Sequence, residues 1–281
     1  MKHKLKNKQV KKAIFFIRKN YLLSAFIVII FLTLLVGFYK NFLSKTNYVY
    51  SKVEINYPES YYSKPDIWIL DSLHKGEVQT GILGQPEAEI LNVTYYPSSL
   101  ADNQFDIFLN LKLQAGYEKS TGTYSFQRSP IAVGSPITLS FPTSHVIGTI
   151  LYLGSTPLQD KYVEKTVYLV NPAAYRKSTP YLYDSIKIGD KYYNGNQTVF
   201  QILDKKLEKN VFAVVNNFTS QVSEGATDTT QDIVIIAKMR LIQKNNLLFF
   251  GGDQLIQVGD KINLSTDGGL NLNDFVVSAI K

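Results

Sequence analysis

The chain has 281 residues, 45% of them hydrophobic and 19% charged, which excludes a disordered chain and leaves room for one large or two small domains. With no cysteine and only three histidines, one of them His3, it excludes a disulfide scaffold, a Cys-ligated metal centre, a thiol nucleophile and a His-based metal site. The net charge of +7 belongs to one end: ten of the 30 cations precede residue 46 and all 23 acids follow it, so the remainder is mildly acidic and lacks the basic face that a nucleic-acid partner requires.

Residues 1–20 read as a cytoplasmic basic tail, with eight cations and no acid. Tyr21–Tyr39 (YLLSAFIVIIFLTLLVGFY) carries no charge and reads as a transmembrane helix with a tyrosine at each interface. Its cations lie mainly on the N-terminal side, and no Ala-x-Ala site follows it. These features predict an uncleaved single-pass anchor with a cytoplasmic N-terminus and an extracytoplasmic C-terminal part. Residues 40–48 form a short tether.

The remainder reads as two copies of one β unit, 49–154 and 161–281, separated by a turn-rich stretch at Gly154–Lys161. Five blocks recur in order. Asp71-Ser72-Leu73 matches Asp184-Ser185-Ile186, and Lys75-Gly76-Glu77 matches Ile188-Gly189-Asp190. Ile90-Leu91 matches Ile202-Leu203, and Asp106–Leu109 matches Asp232–Ile235. Ile131–Leu139 matches Ile256–Leu264 around Gly134 and Gly259. Phe105 to Leu113 alternates with the period of two of a half-buried strand, whereas Ile233–Ala237 is continuously apolar, as in a strand buried on both faces. Short helices are expected at Ile67–His74 and Tyr181–Lys187, each ended by its glycine and with Asp71 and Asp184 capping the helix or its turn. Gly76, Gly134, Gly189 and Gly259 mark a turn that recurs four times, with an acid or hydroxyl after each glycine. The expected fold is therefore mainly β: an N-terminal transmembrane helix followed by two homologous small β-barrel-like domains, each with one short helix. The loops Ala101–Gln104 and Ser220–Gln231 occupy corresponding places, the second being the expected mobile segment.

Ser129–Ile150, Lys238–Ile280 and Ala88-Glu89-Ile90 after Gln85 resemble a bacterial membrane-anchored family, domain-of-unknown-function family 4330. The resemblance implies one membrane span and one such unit per chain, here in tandem, and assigns no activity. Val133–Ile137 followed by Val146–Ile150 is also similar to the lipid-transport domain of mammalian-cell-entry proteins. The second copy departs from that pattern at Gly268–Asn273.

Candidate chemistry is sparse. His74 and His145 are the only histidines in the β units, and no nucleophile motif surrounds either. No catalytic, cofactor-binding or metal residue is expected. Trp68 and Tyr181 stand at equivalent places at the start of the short helices and are the tentative ligand contacts, with Tyr57, Tyr61, Tyr62, Tyr95 and Tyr96 as a further aromatic cluster. The chain is expected to be a non-enzymatic, extracytoplasmic binding or scaffold protein. Its expected partners are the membrane and an envelope protein, as an accessory component of a cell-envelope assembly. A carbohydrate- or lipid-binding envelope module is the alternative.

Overall fold

The computed structural model describes residues 21–38, 47–56, 64–98, 104–176, 180–209, 230–251 and 254–281. Helix α1 (Tyr21–Phe38) has 18 residues, none charged. At 1.5 Å per residue it is about 27 Å long, short of a hydrocarbon core of roughly 30 Å. No helix among the described residues is long and apolar enough to cross a membrane. The basic tail, Tyr39 and most of the tether lie outside the described residues.

Tyr48–Lys281 is a separate compact unit. It contains β1 (Tyr48–Ile55), α2 (Ile67–Asp71), β2 (Val78–Thr80), β3 (Pro86–Pro97), β4 (Phe105–Gln114), β5 (Gly116–Glu118), β6 (Thr123–Phe126), β7 (Ser129–Ile131), β8 (Pro136–Ser140) and β9 (His145–Gly154). After a connector come β10 (Tyr162–Arg176), α3 (Tyr181–Ser185), β11 (Lys191–Tyr193), β12 (Thr198–Glu208), β13 (Thr230–Lys244), β14 (Leu247–Phe250), β15 (Gln254–Leu255), β16 (Lys261–Ser265) and β17 (Asn271–Ile280).

Two nearly closed antiparallel sheets result, and their strand orders coincide: β2-β3-β4-β1-β9-β8 and β11-β12-β13-β10-β17-β16. The registers coincide too. Val53 lies between Leu109 and Ile150, and Leu169 between Ile235 and Val277. A bulge follows Ile90 in one copy and Ile202 in the other. What differs is inserted outside this frame: a separate three-stranded sheet, β5-β6-β7, in the first copy, and β14, paired onto β13, with β15 beside it in the second.

The four glycine turns are one device. In each, the residue after the glycine donates its N–H to the carbonyl three residues back, as Glu77 does to His74 and Asp260 to Gln257. The glycines have φ between +87° and +98°, and the residues before them are not in the left-handed region. These are type II turns, which need φ > 0 at the third position. Each glycine N–H then donates to a buried strand residue (Ile90, Ile150, Ile202 or Val277) at 2.8–2.9 Å. That same residue donates back to the residue after the glycine, and a bulge follows it. The turn-and-bulge device thus occurs twice in each sheet, which gives each sheet an internal two-fold pattern of three strands and three strands.

Burial follows the alternation. Ile107, Leu109, Leu111 and Leu113 are fully buried, as are Leu139 and Ile150. Ile233, Ile235 and Ala237 face the second core; on the opposite face of the apolar run Val234 is buried and Ile236 half-buried. A few hydrogen bonds close the sheets. The Ser140 N–H donates to the buried Gln79 Oε1 at 2.9 Å in the first, and the Asp267 N–H donates to Lys191 O at 2.8 Å in the second. In the second the Tyr193 N–H also donates to Asp267 Oδ1 at 2.9 Å.

The helices are shorter than the sequence suggests, five residues each. Neither Asp71 nor Asp184 supplies an N-cap bond; both sit exposed near the C-terminal ends. The neighbouring serines do the repeated work. Ser72 Oγ donates to Ile69 O at 2.7 Å and Ser185 Oγ to Leu182 O at 2.8 Å, competing with the helical ladder and ending it. Gly76 and Gly189 belong to the following turn rather than to a helix cap.

Candidate functional site

Trp68 is 60% exposed and Tyr181 77% exposed. Trp68 Nε1 donates to Asp66 Oδ2 at 3.2 Å within its own helix. Neither residue lines a cleft described below, so the expected ligand contacts are two separate surface aromatics. Tyr57, Tyr61, Tyr62 and most of the loops Ala101–Gln104 and Ser220–Gln231 lie outside the described residues.

The expected aromatic cluster divides. Tyr95 and Tyr96, at the end of β3, join the two sheets. Tyr96 is 7% exposed and packs in the core of the second sheet, with ring centroids 5.5 Å from Phe250, 6.5 Å from Tyr192 and 6.4 Å from Phe108. Its hydroxyl accepts a 2.8 Å hydrogen bond from Nδ2 of fully buried Asn194. Asn194 Oδ1 in turn accepts from the N–H groups of Asn196 and Gln197. The Tyr95 N–H donates to Asn194 O at 3.1 Å, and the Tyr192 hydroxyl donates to Tyr95 O at 3.2 Å. Gly195 must be glycine here: φ is +88°, and a Cβ would come within 2.8 Å of Tyr95 Cε1 and 2.9 Å of Val93 O. Burial pushes the Tyr96 and Tyr192 hydroxyls well above the usual tyrosine range, against the opposing Asn194 bond at Tyr96. The sheets therefore meet through buried rings, with one backbone bond, rather than by pairing of open edges. The connector adds an ion pair, Lys52 Nζ to Asp160 Oδ2 at 3.2 Å.

The histidines are local. His74 Nδ1 lies 3.0 Å from Glu77 Oε1 across a glycine turn, and His145 Nδ1 lies 2.9 Å from Ser140 Oγ across the β8–β9 hairpin. A triad requires a third group orienting the imidazole; among the described residues no carboxylate bonds His145. No group of three or more His, Asp or Glu suited to a metal ion occurs among the described residues. Asp106 contributes to a charged cluster: Lys64 Nζ lies 2.9 Å from Asp106 and 2.8 Å from Glu54. Burial alone would lower the Lys64 pKa, but the bonds to Glu54 and Asp106 raise it above the usual lysine range.

Among the described residues, clefts open on both sheets. One, about 110 Å³, lies over β10, β12 and β13 beside Glu164, Lys238 and Arg240. Another, about 260 Å³, lies where the β2–β3 loop, the end of β4 and the β6–β7 hairpin meet. Neither cleft has a local sequence signal, because its lining residues come from separate segments.

No family model matches the chain, and neither the curated proteins nor the solved structures contain a match to it.

Proposed function

We propose that this chain is a membrane-anchored binding or scaffold module whose tandem barrels present a rigid surface to an envelope protein on the outer side of the membrane. The supporting observation is the pairing of filled barrels with apolar tips. Both cores are occupied by side chains, yet the β2–β3 tip exposes Leu83 and all of Ile82, and Val133, Ile188 and Val258 stand exposed at three of the four glycine turns. Isolated apolar residues on a surface need no explanation, but tips that repeat with the fold suit a partner surface.

The anchor rests on α1. Its residues Phe26 to Leu32 are 43–64% exposed, with apolar side chains on every face. A helix apolar all round requires apolar surroundings, and a bilayer supplies them. Its one mid-helix hydroxyl, Thr33, is satisfied internally by Ile29 O and Ile30 O at 2.8 Å. In the sequence, Tyr39 and the flanking lysines continue from this span, and a slightly short span is accommodated by local thinning of the bilayer. Ser129–Ile150 and Lys238–Ile280, the segments whose sequence resembles the family 4330 unit, fall on β7–β9 and β13–β17, and on that resemblance alone the chain reads as a tandem form.

Crosslinking pull-down of the full-length protein from native membranes tests the reading. Reproducible capture of one envelope protein, reduced by Ile82→Ser/Leu83→Ser, is expected. Recovery of the protein alone, together with turnover of a wall or lipid substrate, overturns it.

A further inference from the structure

We infer that the cleft of about 260 Å³ between the β2–β3 loop and the β6–β7 hairpin binds a neutral polyhydroxylated ligand, a sugar ring. The inference does not rest on the protein-partner reading: it is argued from the polar side chains of the cleft, although Gln85 shares the β2–β3 loop with exposed Ile82 and Leu83. The cleft's lining is polar and planar: Gln85, Glu87, Gln114 and Gln127 supply amide and carboxylate groups, Arg128 a guanidinium, and Ser125 a hydroxyl. Adjacent hydroxyls of a sugar offer a donor beside an acceptor, which such two-atom groups match. One acid and one base give the lining no net charge, which disfavours a phosphate or a cation. Phe126 is the one apolar side chain, too little to hold a lipid tail. The volume is just below the roughly 300–1,000 Å³ of drug-sized pockets, which suits a single ring.

Hydrogen-bonding capacity is left over here. Gln85 Oε1 is buried with no partner. Among the described residues nothing bonds the Gln114 amide or the Arg128 guanidinium, and Ser125 Oγ reaches only Gly116 O, at 3.5 Å. Gln127 Nε2 donates to Glu87 Oε2 at 2.7 Å, which fixes one wall. The backbone is held in a costly form at the same place. Gln127 and Arg128 have φ of +49° and +67°, the type I′ geometry that favours Asn and Gly. The β13–β14 hairpin of this same chain makes that turn with Asn245 and Asn246, at φ of +49° and +65°. Long side chains at left-handed positions persist where their groups are used.

The test uses the full-length chain in nanodiscs, with two variants: Gln85→Ala, and Gln127→Asn/Arg128→Gly, which installs the favoured turn sequence. Saturation-transfer NMR with glucose, galactose and N-acetylglucosamine reads free sugars, and cosedimentation with insoluble cell-wall glycan reads the polymer. Saturable binding in either arm is expected, weakened on the order of tenfold or more in both variants. The turn variant should keep or raise the melting temperature. Binding in the first arm identifies a free saccharide as sufficient; binding in the second alone identifies a chain of linked rings. No saturable binding in either arm, or binding retained by either variant, overturns the inference.

Discussion

Replacing Tyr96 by Phe removes one oxygen and should loosen both barrels. Asn194 is fully buried, so no water replaces the lost partner of its Nδ2. Leaving a buried donor unpaired costs about 1–3 kcal/mol. For a unit of this size that is a melting shift of roughly 3–9 °C. Asn194→Ala breaks the same bond and also removes the acceptor for the Asn196 and Gln197 N–H groups at 3.1 and 3.0 Å. Three bonds at roughly 1 kcal/mol each give about 3 kcal/mol. The double variant should cost about 1 kcal/mol less than the sum, because the two changes share one bond. Tyr96→Ala also removes a ring packed on Phe108 from its own barrel and on Tyr192 and Phe250 from the other. It should cost about 3–5 kcal/mol. Thermal unfolding of the full chain in a mild detergent, with hydrogen exchange read residue by residue, provides the assay. Protection should fall together in β3, β12 and β13. A Tyr96→Phe shift below about 0.5 kcal/mol, or lost protection confined to β3, would refute a shared core, since that is the scale of an ordinary surface change.

Alanine at Gly76, Gly134, Gly189 or Gly259 should cost a similar amount at each site, about 1–2 kcal/mol, because all four have φ near +90° and a Cβ would meet nothing within 4 Å. Gly148→Ala should cost more, since its Cβ would lie 2.5 Å from Glu54 O; urea midpoints rank the five. Stability should fall as pH rises above about 10: Lys64, Tyr96 and Tyr192 all have raised folded pKa values, so the native state there holds more protons than the unfolded one. Tyrosinate absorbance should show these two tyrosines ionising only with unfolding. Trp68→Ala and Tyr181→Ala should change stability by no more than about 0.5 kcal/mol, since both side chains are exposed; a larger loss in thermal unfolding would place them in the packing.

The strands were legible where one face is buried, because alternation such as Ile107-x-Leu109-x-Leu111-x-Leu113 records the core directly. The duplication was legible because the turn glycines cannot be replaced without strain, which keeps their spacing visible. The two-fold pattern inside each barrel was not, because it resides in backbone bonds and bulges. His74-Lys75 and Ala132-Val133 make the same turn with unrelated side chains. Tyr95 and Tyr96 read as part of an aromatic cluster in the first unit, and nothing in Thr94-Tyr95-Tyr96-Pro97 shows that the neighbouring barrel covers them. The Gln127-Arg128 hairpin carries neither Asn nor Gly, so its turn and the cleft beside it gave no local signal.

The proposed topology anchors the chain by Tyr21–Tyr39 and displays the barrels outside the membrane. Alkaline phosphatase fused after Lys281 and expressed in a bacterial host tests it most directly, since that reporter folds only on the outer side. An active fusion that stays with the membrane fraction through an alkaline wash is predicted. A stable but inactive fusion, or an active one released by the wash, would contradict it.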